Sequence, residues 1–168
     1  AGRDPARIAV IGSSAGGHLA ATLSTLFAHP DAADPTHDAI GRESARPDAS
    51  ILCYPVITVR EAFAHGGSRD NILGPAPAPG LADLLSPERQ VRPDCPPAFI
   101  WHTADDAVVP VDNATAYASA CWRARVPCEL HVFPSGRHGL GLGSPAEPAP
   151  PWDRMLEPWL GELGWLKR

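Results

Sequence analysis

The segment RIAVIGSSAGGHLAATL, residues 7–23, decides the fold of this chain because it changes character at its centre. It begins as an apolar run of the kind that forms a buried strand, and it ends in a pattern with helical periodicity. Between the two halves stands the pentapeptide Gly12-Ser13-Ser14-Ala15-Gly16. There are three interpretations of this turn: a phosphate-binding loop, a turn that carries a catalytic serine, and a simple bend.

Phosphate-binding loops fail on the residue that performs their chemistry. A Walker loop needs a lysine after its last glycine, because the lysine reaches the phosphates, but His18 follows Gly17 here. A dinucleotide-binding loop needs glycine where Ser14 stands. The remaining pattern, G-x-S-x-G, is a nucleophile elbow, in which Ser14 sits on a sharp turn between a strand and a helix. Gly12 and Gly16 then leave room for the neighbouring strand and helix.

Four apolar runs are predicted to form strands, and helical patterns lie between them. The runs cover residues 7–12, 49–54, 98–103 and 128–133. The first three are almost continuously apolar, which is typical of a parallel sheet covered on both faces. Strands that alternate with helices indicate right-handed βαβ units. We therefore predict an α/β fold with a parallel sheet of about four strands and flanking helices, in a single domain over residues 1–168.

Helices are predicted after the first and third strands and at the end of the chain. The first carries an apolar stripe at helical spacing, formed by Leu19, Leu23, Leu26 and Phe27. The last begins near Trp152 and contains Pro158, and proline is expected to kink or split a helix. A short helix is predicted to start at Pro87, after Ser86 as its N-cap. The rest of residues 56–97 receives no assignment.

A nucleophile elbow requires an acid and then a histidine after later strands, because serine is a weak nucleophile until a base accepts its proton. Both appear in that order. Asp105 and Asp106 follow the third predicted strand, and His138 lies in a glycine-flanked loop after the fourth. The role needs only one buried carboxylate, and the residues themselves do not decide between the two.

Three other histidines lie near this set. His131 falls inside the fourth predicted strand and is interpreted as a packed or surface residue. His102 ends the third strand, where a structural role is favoured over one in shaping the pocket. His18 follows Ser14 by one helical turn, where it can line the site or satisfy a backbone group.

Composition excludes several classes of function. The net charge of −5 and the absence of a lysine-rich tail argue against nucleic acid as a partner. No apolar run has the roughly 18 residues that span a bilayer, and the amino terminus lacks the apolar core of a signal peptide, so we expect a cytoplasmic protein. No CxxC pair and no HExxH spacing is present, so we expect free thiols, no metal and no cofactor.

Several longer motifs carry a family resemblance. They are GSSAGGHLAA, SRDNILG, PPAFIWHTADDAVVPVDNA and VPCELHVFPSGRHGLGLG. Together they resemble the α/β-hydrolase fold and, within it, the acetylesterase and acetyl-xylan-esterase-like (BD-FAE-like) group of carboxylesterases, from Arg7 to about Trp165. In that family the acid stands in a D-x-V-V-P pattern, which the resemblance places at Asp106.

The resemblance implies a role for each residue of the site. It places the nucleophile at Ser14 and the base at His138, with the N–H of Ala15 as one donor of the oxyanion hole. The family's sheet continues on the amino-terminal side of the serine strand, so the chain is expected to be a carboxyl-terminal portion. It lacks the glycine-rich loop that supplies the second oxyanion donor, and its first strand is expected to form an exposed apolar edge.

These features predict a serine hydrolase of carboxylic esters, with acetyl or other short acyl groups on a small-molecule or carbohydrate alcohol. One alternative is a serine peptidase of the prolyl-oligopeptidase type, which shares the fold and the order of the three residues. Another is a catalytically silent truncated domain. The oligomeric state and the nature of the alcohol are left open.

Overall fold

A computed structural model of the chain describes residues 4–30 and 43–166. Four strands alternate with helices along most of its length. The strands are β1 (Ala9–Ser13), β2 (Ala49–Cys53), β3 (Ala98–Thr103) and β4 (Cys128–Phe133). The helices are α1 (Ala15–Leu26), α2 (Gly66–Leu73), α3 (Leu81–Leu84), α4 (Asp112–Arg123) and α5 (Trp152–Glu162). A hairpin of two short strands, β5 (Gly143–Ser144) and β6 (Glu147–Pro148), precedes α5.

The four main strands form one sheet in the order β1-β2-β3-β4, and all neighbours are parallel. The predicted sheet of about four strands with flanking helices is therefore confirmed. The predicted ranges of β3 and β4 match the structure residue for residue. Strand β1 begins two residues later and ends one residue later than predicted, and β2 ends one residue earlier. Because the strands are parallel, their carboxyl ends meet at one edge, where ligand sites of open α/β sheets lie.

Alternating side chains of the strands build a core on each face of the sheet. Leu52 and Ile100 point into a cluster with α1 and α4. Phe99 and Trp101 point to the opposite face, where they pack against two tryptophans of α5. Burial on both faces explains why β2 and β3 are apolar at almost every position.

The outer edge of β1 is exposed. Ile8 and Ile11 are each 58% exposed, and Leu19 on the adjoining helix α1 is 71% exposed. Within the described residues, β1 pairs only with β2. An apolar strand edge of this kind can pair with another chain.

Two predictions about helices have different outcomes. A 3₁₀ turn begins at Pro87 after Ser86, where a short helix is predicted. In contrast, α5 continues through Pro158 without being split. Proline removes one backbone hydrogen bond there, but Trp152 and Trp159 anchor the helix to the sheet on both sides of it.

No helix in the described part of the chain is long and apolar enough to cross a membrane. All four cysteines are free thiols, namely Cys53, Cys95, Cys121 and Cys128.

Candidate active site

Ser14 lies between β1 and α1 in a backbone conformation that is unusual for a residue with a side chain. Its φ is 55° and its ψ is −122°, a combination that costs free energy and persists only where the surroundings enforce it. Those surroundings are backbone hydrogen bonds. The Ser14 N–H donates to the Cys53 carbonyl, and the Ser14 carbonyl accepts from the Val56 N–H, each over 3.0 Å. The strand, strained turn and helix are the arrangement of a nucleophile elbow.

The steric need for glycine falls on Gly12 and Gly17. A Cβ atom on Gly12 would overlap the carbonyl oxygen of Gly16, and one on Gly17 would lie 2.6 Å from the Cβ atom of Pro55. A Cβ atom on Gly16 would have no atom of the described residues within 4 Å. The sequence pattern predicts that Gly16 must be glycine so that a neighbouring element can pack closely. In the structure this close packing occurs at Gly17 instead.

His138 connects Ser14 to Asp106. Its Nε2 lies 2.7 Å from Ser14 Oγ, and its Nδ1 lies 2.7 Å from Asp106 Oδ2. Because the carboxylate can only accept, Nδ1 carries the ring proton, and Nε2 is then the acceptor for the Ser14 hydroxyl. The imidazole is mostly buried and packs edge-on against the ring of Tyr54, with 5.0 Å between ring centroids.

The structure places Asp106, and not Asp105, against His138. The Asp106 side chain is fully buried, and its Oδ1 accepts hydrogen bonds from the N–H groups of Val108 and Val109. Burial by itself raises the pKa of Asp106, but the hydrogen bonds from His138 and from these two N–H groups outweigh it and lower that pKa below its ordinary value. Asp105 is exposed.

Contacts that sequence reasoning did not identify hold the loop that carries His138. The N–H of Gly136 donates to Asp105 Oδ1 over 2.8 Å, and the carbonyl of Gly136 accepts from the Thr103 hydroxyl over 2.7 Å. Arg137 makes two 2.6 Å bonds to the Glu147 carboxylate and a third bond to the His138 carbonyl. Apart from the contact between the neighbours Arg137 and His138, these partners are 10 to 33 positions apart in the sequence, so no local pattern indicates them.

His18 and His131 have structural contacts. His18 Nε2 lies 2.8 Å from the Leu85 carbonyl, so it satisfies a backbone group, which is one of the two roles expected for it. Burial lowers the pKa of His18. His131 contacts the Glu129 carboxylate and the ring of Phe99.

The amino terminus of α1 supplies an electrostatic feature beside Ser14. This helix has 12 residues and starts at Ala15, directly after Ser14, and the Ser14 side chain does not cap it. The first N–H groups of a helix have no partner within the helix and carry partial positive charge. The N–H of Ala15 is therefore suited to stabilise an anionic oxygen that forms near Ser14.

A cavity of about 300 Å³ lies beside His138. Its lining consists of Asp105, Ala107, Val108, Gly136, Arg137 and His138. A larger cavity of about 940 Å³ lies along α4 and the 3₁₀ turn and includes neither Ser14 nor His138. We assign the smaller cavity to the candidate site because it borders His138, which contacts Ser14 and Asp106. Within residues 4–30 and 43–166, no group of three or more histidine, cysteine or acidic residues is arranged to hold a metal ion.

Known proteins resemble this chain in sequence and in structure. A family model described as BD-FAE matches residues 2–120. The chain is 46% identical to the acetyl ester-xyloside bifunctional hydrolase of Caldicellulosiruptor lactoaceticus, whose solved structure matches with a TM-score of 0.89 over 98% of this chain and 59% of that one. The chain is also 38% identical over 158 residues to endo-1,4-beta-xylanase B of Butyrivibrio fibrisolvens. It is 36% identical over 169 residues to the acetylxylan esterase of Xylanibacter ruminicola.

The match covers nearly all of this chain but a minor part of the two curated relatives. It includes 94% of this chain and 23% of the xylanase, and 98% of this chain and 31% of the acetylxylan esterase. The chain thus spans less than a third of either relative's length. The resemblance to an esterase group of the α/β-hydrolase fold is confirmed by these matches.

Proposed function

This chain belongs to the BD-FAE family, and from that premise we propose that it hydrolyses carboxylic esters with Ser14 as nucleophile, His138 as general base and Asp106 as the acid that orients His138. The observation that carries the proposal is the line of two 2.7 Å hydrogen bonds from Ser14 through His138 to Asp106. Three residues in this arrangement activate a hydroxyl that is otherwise unreactive.

In the first half of the reaction, Ser14 Oγ attacks the ester carbonyl carbon while His138 Nε2 takes the hydroxyl proton. The imidazolium that forms is stabilised by the buried Asp106 carboxylate. The carbonyl oxygen becomes an oxyanion, toward which the Ala15 N–H and the amino terminus of α1 direct positive charge. When the tetrahedral intermediate collapses, the C–O bond to the alcohol breaks, and His138 gives its proton to the departing oxygen.

In the second half, water replaces the alcohol. His138 takes a proton from the water, the hydroxide attacks the acyl carbon, and the bond to Ser14 Oγ breaks as His138 returns the proton to it. The products are a carboxylic acid and an alcohol, and the site returns to its starting state. Each step uses only these three residues, the Ala15 N–H and water.

We propose acetyl and other short acyl esters of carbohydrate alcohols as the substrate class. The printed names of two similar proteins, an acetylxylan esterase and an acetyl ester-xyloside hydrolase, support this choice. The cavity beside His138 supports it as well, because the leaving alcohol must stand next to the group that protonates it, and this cavity offers the polar side chains of Asp105 and Arg137.

The xylanase among the relatives does not lead us to propose cleavage of glycosidic bonds. Hydrolysis of those bonds usually requires two carboxyl groups on either side of the bond. At Ser14 the partner is a histidine, and Asp106 is held behind that histidine.

A fluorophosphonate probe, which forms a covalent bond with an activated serine, tests the assignment. We expect the protein to be labelled and Ser14→Ala to abolish labelling, while Ser13→Ala, one position earlier on the same turn, retains it. Hydrolysis of p-nitrophenyl acetate should fall by roughly 10⁴–10⁶-fold in Ser14→Ala. Undiminished labelling of Ser14→Ala would refute the proposal.

A comparison of substrates tests the reaction class. We expect p-nitrophenyl acetate and acetylated xylose to be hydrolysed faster than a proline-containing peptidyl amide. A preference for the amide would instead assign the chain to the peptidase alternative.

A further inference from the structure

One buried histidine beside the proposed site has no role in the steps above. His102 lies near the end of β3, and its side chain is fully buried. Its Nε2 is 2.9 Å from the carbonyl oxygen of Val109 and 3.3 Å from Asp106 Oδ2. His102 therefore contacts both the proposed acid and the turn that follows it.

These contacts determine which ring nitrogen of His102 carries the proton. A carbonyl oxygen and a carboxylate oxygen can only accept, so Nε2 must be the donor. Nδ1 is buried and has no hydrogen-bond partner among the described residues, so a second proton there would be unpaired. Burial also lowers the pKa of His102, which favours the neutral ring. The ring is thus neutral, and its only N–H donates to the Val109 carbonyl while Nε2 lies 3.3 Å from Asp106 Oδ2.

The N–H of His102 fixes the end of the turn that holds Asp106. Oδ1 accepts from the backbone of Val108 and Val109, and Oδ2 accepts from His138. His102 reaches Oδ2 from a further direction while its shorter bond ties the Val109 carbonyl to β3. Rotation of the carboxylate would break one of these contacts, and movement of the turn would leave the buried Val109 carbonyl unpaired.

From this geometry we propose that His102 is a positioning residue: its Nε2–H holds the turn from Asp106 to Val109 so that Asp106 Oδ2 stays aligned with His138 Nδ1. The inference rests on the proposed function, because it matters to activity only if Asp106 orients His138.

Three substitutions separate the donor from the bulk of the ring. His102→Gln keeps an N–H donor at a reach close to that of Nε2, whereas His102→Asn has a shorter side chain whose amide falls short of Asp106. His102→Leu fills the space without a donor. We expect kcat for p-nitrophenyl acetate to fall about 10- to 100-fold in the Asn and Leu variants, the size expected when the buried Val109 carbonyl is left without its donor. KM should change less than about threefold, and the Gln variant should recover most of kcat.

A double-substitution experiment distinguishes positioning of Asp106 from a general effect on folding. If His102 acts through Asp106, His102→Asn should cost much less in kcat when Asp106 is already Asn, because residues that act as a unit are not additive. A full additional loss in that background would overturn the inference, as would wild-type kcat in His102→Leu. Thermal unfolding of each variant identifies any that fails to fold. If the Asn and Leu variants fail to fold, the comparison of His102→Gln with the wild type decides. A loss of kcat of about 10-fold or more in His102→Gln then refutes the donor role.

The proposed function can fail in a distinguishable way. If Asp106→Asn and Ser14→Ala both retain wild-type activity, the proposed reaction and this inference fall together. If both abolish activity but the His102 variants do not, only the inference falls. Side-chain ¹⁵N NMR gives a further test, since the ring signal lost in His102→Gln should show a protonated Nε2 and an unprotonated Nδ1.

Discussion

At the scale of single residues, two adjacent carboxylates have very different surroundings. Asp106 is buried among hydrogen-bond donors, whereas Asp105 is exposed and accepts one bond from the backbone of Gly136. Asp105 thus helps to place the loop that carries His138, while Asp106 contacts His138 itself. The two positions form a natural pair of variants.

We expect Asp106→Asn to lower kcat by about 10⁴-fold, because an amide in place of the carboxylate favours the wrong tautomer of His138. Asp105→Asn should lower kcat by less than about tenfold, because its amide oxygen can still accept the bond from Gly136. Steady-state kinetics with p-nitrophenyl acetate measures both. Equal losses at the two positions would contradict the assignment of Asp106.

Buried histidines give the free energy of unfolding a defined pH dependence. Burial lowers the pKa of His18, so the unfolded chain binds a proton at a pH where the folded chain does not. Stability is then fully present above the ordinary histidine pKa of about 6.5 and is lost as the pH falls below it, by up to about 1.4 kcal/mol per pH unit for one residue. Asp106, whose pKa is also lowered, contributes stability that is lost only when the pH falls below about 3.9.

His18→Gln tests this dependence. The amide can still donate to the Leu85 carbonyl, but it does not titrate. Urea unfolding between pH 7.5 and pH 5 should show a smaller decline in stability for the variant than for the wild type. An unchanged slope would show that His18 contributes nothing to it.

At the scale of the structural element, the turn between β1 and α1 depends on close packing of backbone. We expect Gly12→Ala to destabilise the fold by about 3 kcal/mol or more, because the new methyl group meets the carbonyl of Gly16, and Gly17→Ala to cost about 1–3 kcal/mol against Pro55. Gly16→Ala should raise stability by up to about 1 kcal/mol, since the position is open and helical.

Urea unfolding of the three variants at one pH measures these differences. The matched control is Gly16, which stands in the same turn but has space for a side chain. A loss in Gly16→Ala as large as in Gly12→Ala would contradict the packing described here.

The sequence predicts those elements of the fold that have a recognisable local pattern of residues. The strands and the elbow are visible because buried parallel strands are continuously apolar and the turn has a fixed pattern. Helix α2 carries no apolar stripe. Its N-cap is His65, whose Nδ1 accepts from the Ser68 N–H, and histidine is not among the common N-caps. The continuation of α5 through Pro158 depends on tertiary packing, which overrides local preference.

The candidate site also has some residues that the sequence predicts and some contacts that it does not. Ser14 and His138 are predicted from motif and order because each follows a strand, whereas the choice of Asp106 over Asp105 depends on the family resemblance. The bonds from Thr103, Asp105 and Glu147 that hold the His138 loop connect residues between 10 and 33 positions apart. Such contacts exist only once the sheet has brought the loops together, so sequence patterns do not reveal them.

At the scale of the whole molecule, the exposed edge of β1 has a consequence in solution. We expect the 168-residue chain to associate with itself through this edge, because the apolar side chains of Ile8, Ile11 and Leu19 lie along the side of β1 that has no partner strand among the described residues. Ile11→Lys should reduce the association, since a charge on an edge strand opposes pairing. Sedimentation velocity measures the change.

Leu142→Lys is the matched control for this prediction. Leu142 is 76% exposed but lies beside the β5–β6 hairpin, away from β1. The same reduction in both variants would indicate an effect of net charge rather than of the edge.

The positions of the three proposed site residues in the sequence also determine when the site can form during folding. Ser14 and His138 are separated by 124 positions, yet they meet across a 2.7 Å hydrogen bond. During synthesis the ribosome adds Ser14 before His138, so under the proposed mechanism the nascent chain carries an unactivated hydroxyl until β4 has docked. The rate at which Ser14 recovers covalent labelling during refolding should therefore report the last stage of folding. Labelling is expected to start only when both outer strands of the sheet, β1 and β4, are in register.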